Sequence, residues 1–189
     1  MASAVIMMQW SSYIGQAGAR GFFDVEPLTF NSRQARLHEL GKNDVLWLVS
    51  RCLEDKQYYF VGVLHILDRR KNPSDSETTS EYGEFCLIAD RERSYDLRRG
   101  FPAEGFLRAL DFDTGKPIKY GASMGQSLQT LRILSRTDER ILGTALKRVL
   151  AHAAGPADQP TGLWTKCDAQ FADYFAANWQ RRGRNRGRE

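Results

Sequence analysis

Two apolar runs between residues 45 and 67 dominate the hydrophobic pattern of the chain. Residues 45–49 and 58–67 are dense in β-branched and aromatic residues, and the charged, turn-like residues 54–56 separate them. Neither run alternates cleanly between apolar and polar residues, which is typical of strands that are buried on both faces over part of their length. The pattern predicts a hairpin of two core strands. Within it, Gly62 indicates a bulge, a barrel bend or the close approach of another backbone.

Residues on either side of the hairpin add further elements. Residues 5–10 predict a first strand, and 33–40 predict a short helix that leads into the hairpin. The polar stretch 68–84 predicts an exposed excursion, because it lacks the apolar residues that a packed element needs. After it, 84–90 and 106–112 predict two more strands.

The last part of the chain has a helical pattern. Ser135, followed by Asp138 and Glu139, predicts the start of a helix over 135–154, since a hydroxyl cap and acidic residues favour a helix N-terminus. A second helix is predicted over 166–181. Four aromatic residues fall on one of its faces: Phe171, Tyr174, Phe175 and Trp179. The predicted fold class is α+β, a small mixed or antiparallel β-barrel flanked by helices.

The predicted elements divide the chain into three parts. Residues 1–155 form the barrel domain with its packing helix, 156–180 form a C-terminal helix packed on it, and 181–189 form a basic tail predicted to be disordered. The tail holds five arginines and one glutamate, a balance of +4 that equals the net charge of the whole chain. The rest of the chain is therefore neutral, and any argument for nucleic acid from bulk charge depends on the tail. The absence of a long apolar run and of a secretory start predicts a cytoplasmic protein that does not enter a membrane.

Signatures of catalysis are missing from the sequence. It contains no nucleophile elbow, phosphate-binding loop, zinc-protease motif or dinucleotide fingerprint. The three cysteines, Cys52, Cys86 and Cys167, are far apart and predict buried thiols rather than a disulfide or a zinc site. Asp111 and Asp113 are a weak paired-carboxylate signal beside a turn. The sequence thus predicts a protein that is not an enzyme and needs no metal or cofactor.

Aromatic residues beside polar ones offer a better functional lead. Trp10, Ser11, Ser12 and Tyr13 follow the first predicted strand, and Trp47 and Ser50 lie in the second. If these strands are neighbours, the aromatic and hydroxyl groups converge at one mouth of the barrel. Flat aromatic walls with a few polar groups suit a planar base, because stacking supplies affinity and hydroxyls read the base edge. The alternative for both tryptophans, and the favoured one for Trp47, is that they fill the core.

Two other residues join this candidate site. Tyr120 lies in a glycine-containing loop that is predicted to face a pocket. Arg132 interrupts an apolar run, so its guanidinium must find a partner or reach the surface. It is predicted to contact a phosphate or to form a structural ion pair. The tail arginines are candidates for nonspecific contact with nucleic acid phosphates, or they are a solvated end.

The arrangement resembles a known superfamily. A first strand ending in Trp10, then a helix, then "LGKNDVLWLVSR", a charged turn and "YYFVGVLHIL" resembles the PUA-like superfamily, and within it the EVE and YTH domains. The resemblance covers residues 5–67. It implies a compact barrel with helices against it and a pocket for a nucleotide base, often a modified one, held in an aromatic cage. By position Trp10 matches the aromatic residue of the first strand, and Ser11 and Ser12 match polar residues that line the pocket.

The chain also departs from that pattern, since no complete cage of three aromatic residues can be located and the polar excursion is not part of it. The expected function is a noncatalytic module that binds DNA or RNA and reads a base, with a modified base as one option, working alone or in a restriction or defence system. The alternative is a protein-interaction module that uses the aromatic face of the predicted C-terminal helix to bind a protein partner or a second copy of the chain.

Overall fold

A curled, six-stranded mixed sheet forms a half-barrel with a few helices packed against it. The computed structural model describes residues 2–14, 21–97, 101–118 and 123–153. The strands are β1 Ser3–Met7, β2 Thr29–Ser32, β3 Val45–Arg51, β4 Tyr58–Lys71, β5 Phe85–Asp96 and β6 Arg132–Ile133. The helices are α1 Trp10–Ile14, α2 Glu77–Tyr82, α3 Glu104–Ala109, α4 Met124–Leu128 and α5 Arg136–Ala153, with 3₁₀ helices at Phe22–Asp24 and Ala35–Glu39. The predicted α+β class is confirmed.

The strand order is β2-β5-β4-β3-β1-β6. Only one neighbouring pair is parallel, β1 with β3, where Ser3 lies opposite Val45 and Met7 opposite Val49. The other described pairs are antiparallel, which makes the sheet mixed as predicted. Parallel neighbours need a crossover. Here β2 and the 3₁₀ helix Ala35–Glu39 lie between β1 and β3 along the chain.

The central hairpin, β3 with β4, has the predicted position. Its register slips by one residue after the pair Leu48 and Gly62, so that Val49 lies opposite Phe60. The predicted irregularity at Gly62 is thus confirmed as a bulge. The close approach at this glycine comes from a side chain rather than a backbone, because a Cβ built on Gly62 would lie 2.5 Å from Cζ of Phe23.

Both faces of the sheet are buried, as the lack of alternation predicts. Successive residues of β3 enter two separate clusters. The α5-side core contains Trp47, Phe60 and Phe101 together with apolar residues of α3, α4 and α5. The α1-side core contains Trp10 and Tyr13 together with Leu46, Leu48, Leu64 and the apolar residues of β1 and β5 that face the same way.

Two of the predicted strands differ from the elements observed. Residues 106–112 were expected to form a strand, but α3 occupies Glu104–Ala109. The reason is that the apolar positions 106, 107 and 110 fit one helical face as well as they fit a strand, and Glu104 pairs with Arg108 one turn later at 2.7 Å. Residues 8–10 do not extend β1, because Trp10 begins α1.

The polar excursion is more ordered than expected. Its first residues continue β4 to Lys71, and α2 follows with Ser76 as its cap, whose Oγ accepts from the Thr79 N–H at 3.1 Å. The residues of this excursion are mostly exposed, as predicted. This part of β4 is therefore a strand because it pairs with β5, and not because it has an apolar face.

The predicted start of α5 is confirmed by its capping contacts. Ser135 Oγ accepts from the Asp138 N–H at 3.2 Å, and the Asp138 carboxylate accepts from the Ser135 N–H at the same distance. The same carboxylate, fully buried, also accepts from the N–H groups of Phe112 at 2.8 Å and Asp111 at 3.3 Å. Asp138 thereby fixes the turn after α3 to the first turn of α5.

Candidate functional site: an aromatic cluster on the α1 side of the sheet

Five aromatic residues gather where α1 and the 3₁₀ helix Phe22–Asp24 meet the sheet. The members of this aromatic cluster are Trp10, Tyr13, Phe22, Phe23 and Tyr59. The rings of Trp10 and Tyr13 are 5.4 Å apart between centroids, and those of Phe22 and Phe23 are 5.1 Å apart in an edge-to-face arrangement. All five pack on the α1-side core, and two of them, Trp10 and Tyr13, are sequence-predicted site residues.

Gly62 and Asp96 anchor the cluster to the sheet. The two residues lie opposite each other in the β4–β5 register. The ring of Phe23 covers Gly62, and the Tyr13 hydroxyl donates to Oδ1 of Asp96 at 2.7 Å. Because Asp96 is exposed while Tyr13 is buried, this hydrogen bond joins a buried ring of the cluster to a surface carboxylate.

Burial divides the cluster into inner and outer rings. Trp10 is only 5% exposed and Tyr13 only 8%, so the indole belongs to the core and does not line an open mouth. The expectation of an exposed stacking surface at Trp10 is therefore corrected. Phe22, Phe23 and Tyr59 are half-buried and form the outer layer. Ser11 and Ser12 are exposed on α1, where their hydroxyls face solvent.

The predicted convergence of Trp47 with Trp10 is wrong. Trp47 is 3% exposed in the α5-side core, with ring centroids 5.3 Å from Phe60 and 6.3 Å from Phe101. Adjacent residues of a strand point to opposite faces, and Trp47 lies on the face away from α1. The core-filling interpretation is correct for this residue.

Ser50 lies near the cluster, but its side chain has a structural role. Its side chain is fully buried, and Oγ donates to the Met8 carbonyl at 2.9 Å, which ties β3 to the chain just before α1. Its cross-strand partner is Tyr59, whose hydroxyl donates to Oδ2 of Asp55 at 2.7 Å. Both tyrosines of the cluster therefore donate a hydroxyl hydrogen bond to a carboxylate, Tyr13 to Asp96 and Tyr59 to Asp55.

Arg132 lies away from the cluster. Its guanidinium stacks over the ring of Phe112, 4.0 Å from the centroid, and Nη2 donates to the Lys116 carbonyl at 2.5 Å. Burial lowers the pKa of the Arg132 guanidinium, and the nearby Asp113 carboxylate opposes that shift. Since Phe112 belongs to the α5-side core, Arg132 does not join Trp10 in one site. Tyr120, the predicted helix 166–181 and the tail lie outside the described residues.

Other chemistry-bearing groups are dispersed. In residues 2–14, 21–97, 101–118 and 123–153, no three histidine, cysteine or acidic side chains converge as a metal site requires. Cys52 and Cys86 are buried as predicted, and burial raises the pKa of the Cys86 thiol, so the thiol form is favoured. Nδ1 of His65 is buried without a hydrogen-bond partner, and burial lowers the pKa of this imidazole.

Four residues of the site were not among the site residues predicted from the sequence: Phe22, Phe23, Tyr59 and Asp96. Phe22, Phe23 and Asp96 lie outside every element that the sequence predicted, and Tyr59 was predicted only as part of a hairpin strand. Gly62 was the sequence signal that could have found Phe22 and Phe23. A glycine in the middle of a buried strand leaves room for a neighbouring side chain, and an aromatic ring can fill that room.

No known family and no curated protein sequence matches the chain. In the part of the chain that the structure describes, no helix is long and apolar enough to cross a membrane.

Proposed function

We propose that the protein is a noncatalytic nucleic-acid-binding module that recognises a base at the aromatic cluster. The observation that carries this proposal is the position of the Phe23 ring over Gly62, beside the bond between Tyr13 and Asp96. Half-buried aromatic rings offer a face on which a base can stack. An exposed carboxylate next to such a face accepts hydrogen bonds from exocyclic amino groups.

The proposal gives the residues different roles. Phe22 and Phe23 supply the stacking surface, Asp96 accepts from the base edge, and the exposed hydroxyls of Ser11 and Ser12 contact the sugar or phosphate. Trp10 and Tyr13 form the floor that holds these groups in place. The resemblance of residues 5–67 to PUA-like domains supports base binding near Ser11 and Ser12, and it extends the proposal to a modified base and to a restriction or defence context.

A binding panel with a matched aromatic control tests the proposal. Phe22→Ala removes an outer ring of the cluster, whereas Tyr82→Ala removes a ring that is 50% exposed on α2. Stacking on one ring contributes about 1–3 kcal/mol per base, so Phe22→Ala should weaken binding to the preferred oligonucleotide by a factor of about 5 to 150. Tyr82→Ala should bind as the wild type does.

The panel consists of short DNA and RNA oligonucleotides, each with and without base modifications, and the readout is fluorescence anisotropy. A preference for one base that Phe22→Ala removes supports the proposal. Equal affinities of wild type, Phe22→Ala and Tyr82→Ala for every oligonucleotide would contradict it.

A further inference from the structure

Helix α5 carries a row of cations and hydroxyls on its exposed face. Its other face is apolar, and its buried residues belong to the α5-side core: Ile141, Leu142, Ala145 and Leu146. Within residues 136–148, the exposed positions hold only basic residues and threonines. Five of them lie within an arc of about 100°, because a helix turns by about 100° per residue. They form the basic stripe, which consists of Arg136, Thr137, Arg140, Thr144 and Lys147.

No carboxylate of the described residues forms an ion pair with Arg136, Arg140 or Lys147. The two acidic residues of the helix lie outside the stripe. Asp138 is fully buried, and its carboxylate accepts from backbone N–H groups, while Glu139 is half-buried. The positive charge of the stripe is therefore not neutralised by the part of the fold that the structure describes.

The first two cations of the stripe work against the stability of the helix. Arg136 is the first residue of α5, and Arg140 follows about one turn later. The N-terminal end of a helix carries a partial positive charge, so a cation there is unfavourable, and like charges four residues apart repel each other. An anion bound between these guanidinium groups would remove both effects.

We infer that the basic stripe binds the phosphate backbone of a nucleic acid. Guanidinium groups bind phosphate oxygens in bidentate fashion, and threonine hydroxyls donate to them as well. From Arg136 to Lys147 the stripe extends about 16 Å along the helix axis, which matches about five phosphates of one DNA strand. Within residues 136–148, no large apolar side chain is exposed that could enter a lipid surface, which favours a nucleic acid over a membrane.

The stripe and the aromatic cluster lie on opposite sides of the sheet. Helix α5 packs on the α5-side core, whereas the cluster packs on the α1-side core. The inference rests on the proposed function for the class of partner, but it uses none of the residues proposed to read the base. Phosphate affinity and base preference should therefore respond to different substitutions.

The salt dependence of binding measures the contribution of the stripe. Each phosphate contact to a single strand contributes about 0.7 to the slope of log affinity against log salt concentration. If the three cations each contact a phosphate, replacing them by glutamine should reduce that slope by about 2. Between about 50 and 200 mM salt, the wild type should then lose on the order of 20-fold more affinity than the glutamine variant.

The experiment uses the full chain and single-stranded DNA of mixed sequence over a series of salt concentrations. The stripe variant combines Arg136→Gln, Arg140→Gln and Lys147→Gln, and a second variant combines Arg136→Lys and Arg140→Lys, which keeps the charge. Glutamine is a strong helix former, so the stripe variant should unfold at or above the wild-type temperature.

A matched control removes three exposed cations from other segments by Arg33→Gln, Lys42→Gln and Arg93→Gln. The stripe variant should lose about 2 from the slope, while the lysine variant and the matched control should keep the wild-type slope.

Several results would overturn the inference. One is a stripe variant with the slope of the wild type, and another is a matched control that loses as much of the slope as the stripe variant does. A third is stripe-dependent binding to polyglutamate, or to vesicles of phosphatidylserine and phosphatidylcholine, that is as tight as binding to DNA. If Phe22→Ala keeps every base preference while the stripe variant loses its slope, base recognition by the cluster is wrong and phosphate binding by α5 stands.

Discussion

The Asp138 carboxylate lies 2.8 Å from the Phe112 backbone nitrogen and holds that residue in a left-handed conformation with a φ of 58°. A bulky residue with positive φ is strained, so it persists only where the surroundings hold it. Here the ring of Phe112 is buried under the Arg132 guanidinium.

Asp138→Ala should therefore destabilise the protein strongly. The change leaves the N–H groups of Asp111, Phe112 and Ser135 without their acceptor. The expected loss is about 3 kcal/mol in the free energy of unfolding, measured by urea denaturation. Asp138→Asn keeps one carbonyl acceptor and should lose less. If the asparagine variant is the less stable of the two, the carboxylate does not act as the acceptor described.

Gly62→Ala tests the contact between the sheet and the aromatic cluster. The added methyl group would lie 2.5 Å from the Phe23 ring, so the ring must move, at a cost of about 1–3 kcal/mol. Gly41→Ala is the control, since a Cβ there meets nothing within 4 Å. In the Gly62→Ala background, Phe23→Ala should cost less than it does alone. A double-mutant cycle without coupling would show that the ring does not rest on Gly62.

Trp10→Ala is expected to lower the stability of the protein. Because the indole is 5% exposed among apolar neighbours, its removal should lower the free energy of unfolding by about 3–5 kcal/mol. Ser11→Ala, on the exposed side of the same helix, should change it by less than about 0.5 kcal/mol. Thermal and urea denaturation of both variants measure this difference. A Trp10→Ala protein as stable as the wild type would contradict the core position of the indole.

His65 should make stability depend on mildly acidic pH. Burial lowers the pKa of its imidazole in the folded protein, so the unfolded chain takes up the proton first. The stabilising contribution is therefore complete above the unfolded pKa of about 6.5 and decreases as the pH falls below it. His65→Gln should flatten this part of the pH profile. At high pH, the difference in the free energy of unfolding between the wild type and the variant then measures packing alone. A profile that His65→Gln leaves unchanged would assign the acid sensitivity to other groups.

The sequence predicted those elements that a strong local signal defines. The hairpin of β3 and β4 follows from its two β-rich runs, and α5 follows from its cap at Ser135 and its apolar stripe. Helix α3 was mistaken for a strand, because a short apolar run satisfies both periodicities when tertiary contacts are unknown.

The candidate site was harder to predict because it depends on which face of the sheet each residue occupies. Trp10 and Trp47 look alike in the sequence, yet they lie in separate cores. Trp47 enters the α5-side core because of its register in β3, where a shift of one residue would reverse its direction, and Trp10 lies in the other core because α1 packs there. Phe23 could be placed on Gly62 only once the position of the 3₁₀ helix Phe22–Asp24 against the sheet was known.

The parallel pairing of β1 has a consequence for biosynthesis. This strand is translated before both of its partners, β3 and β6, and Val5 lies opposite Trp47 on one side and Arg132 on the other. Its apolar residues therefore stay without a complete set of neighbours until β6 has been translated, a period in which nascent chains are prone to aggregate. Chains that stop before residue 132 should keep one edge of the N-terminal strand open, and they become natural substrates for chaperones and proteases.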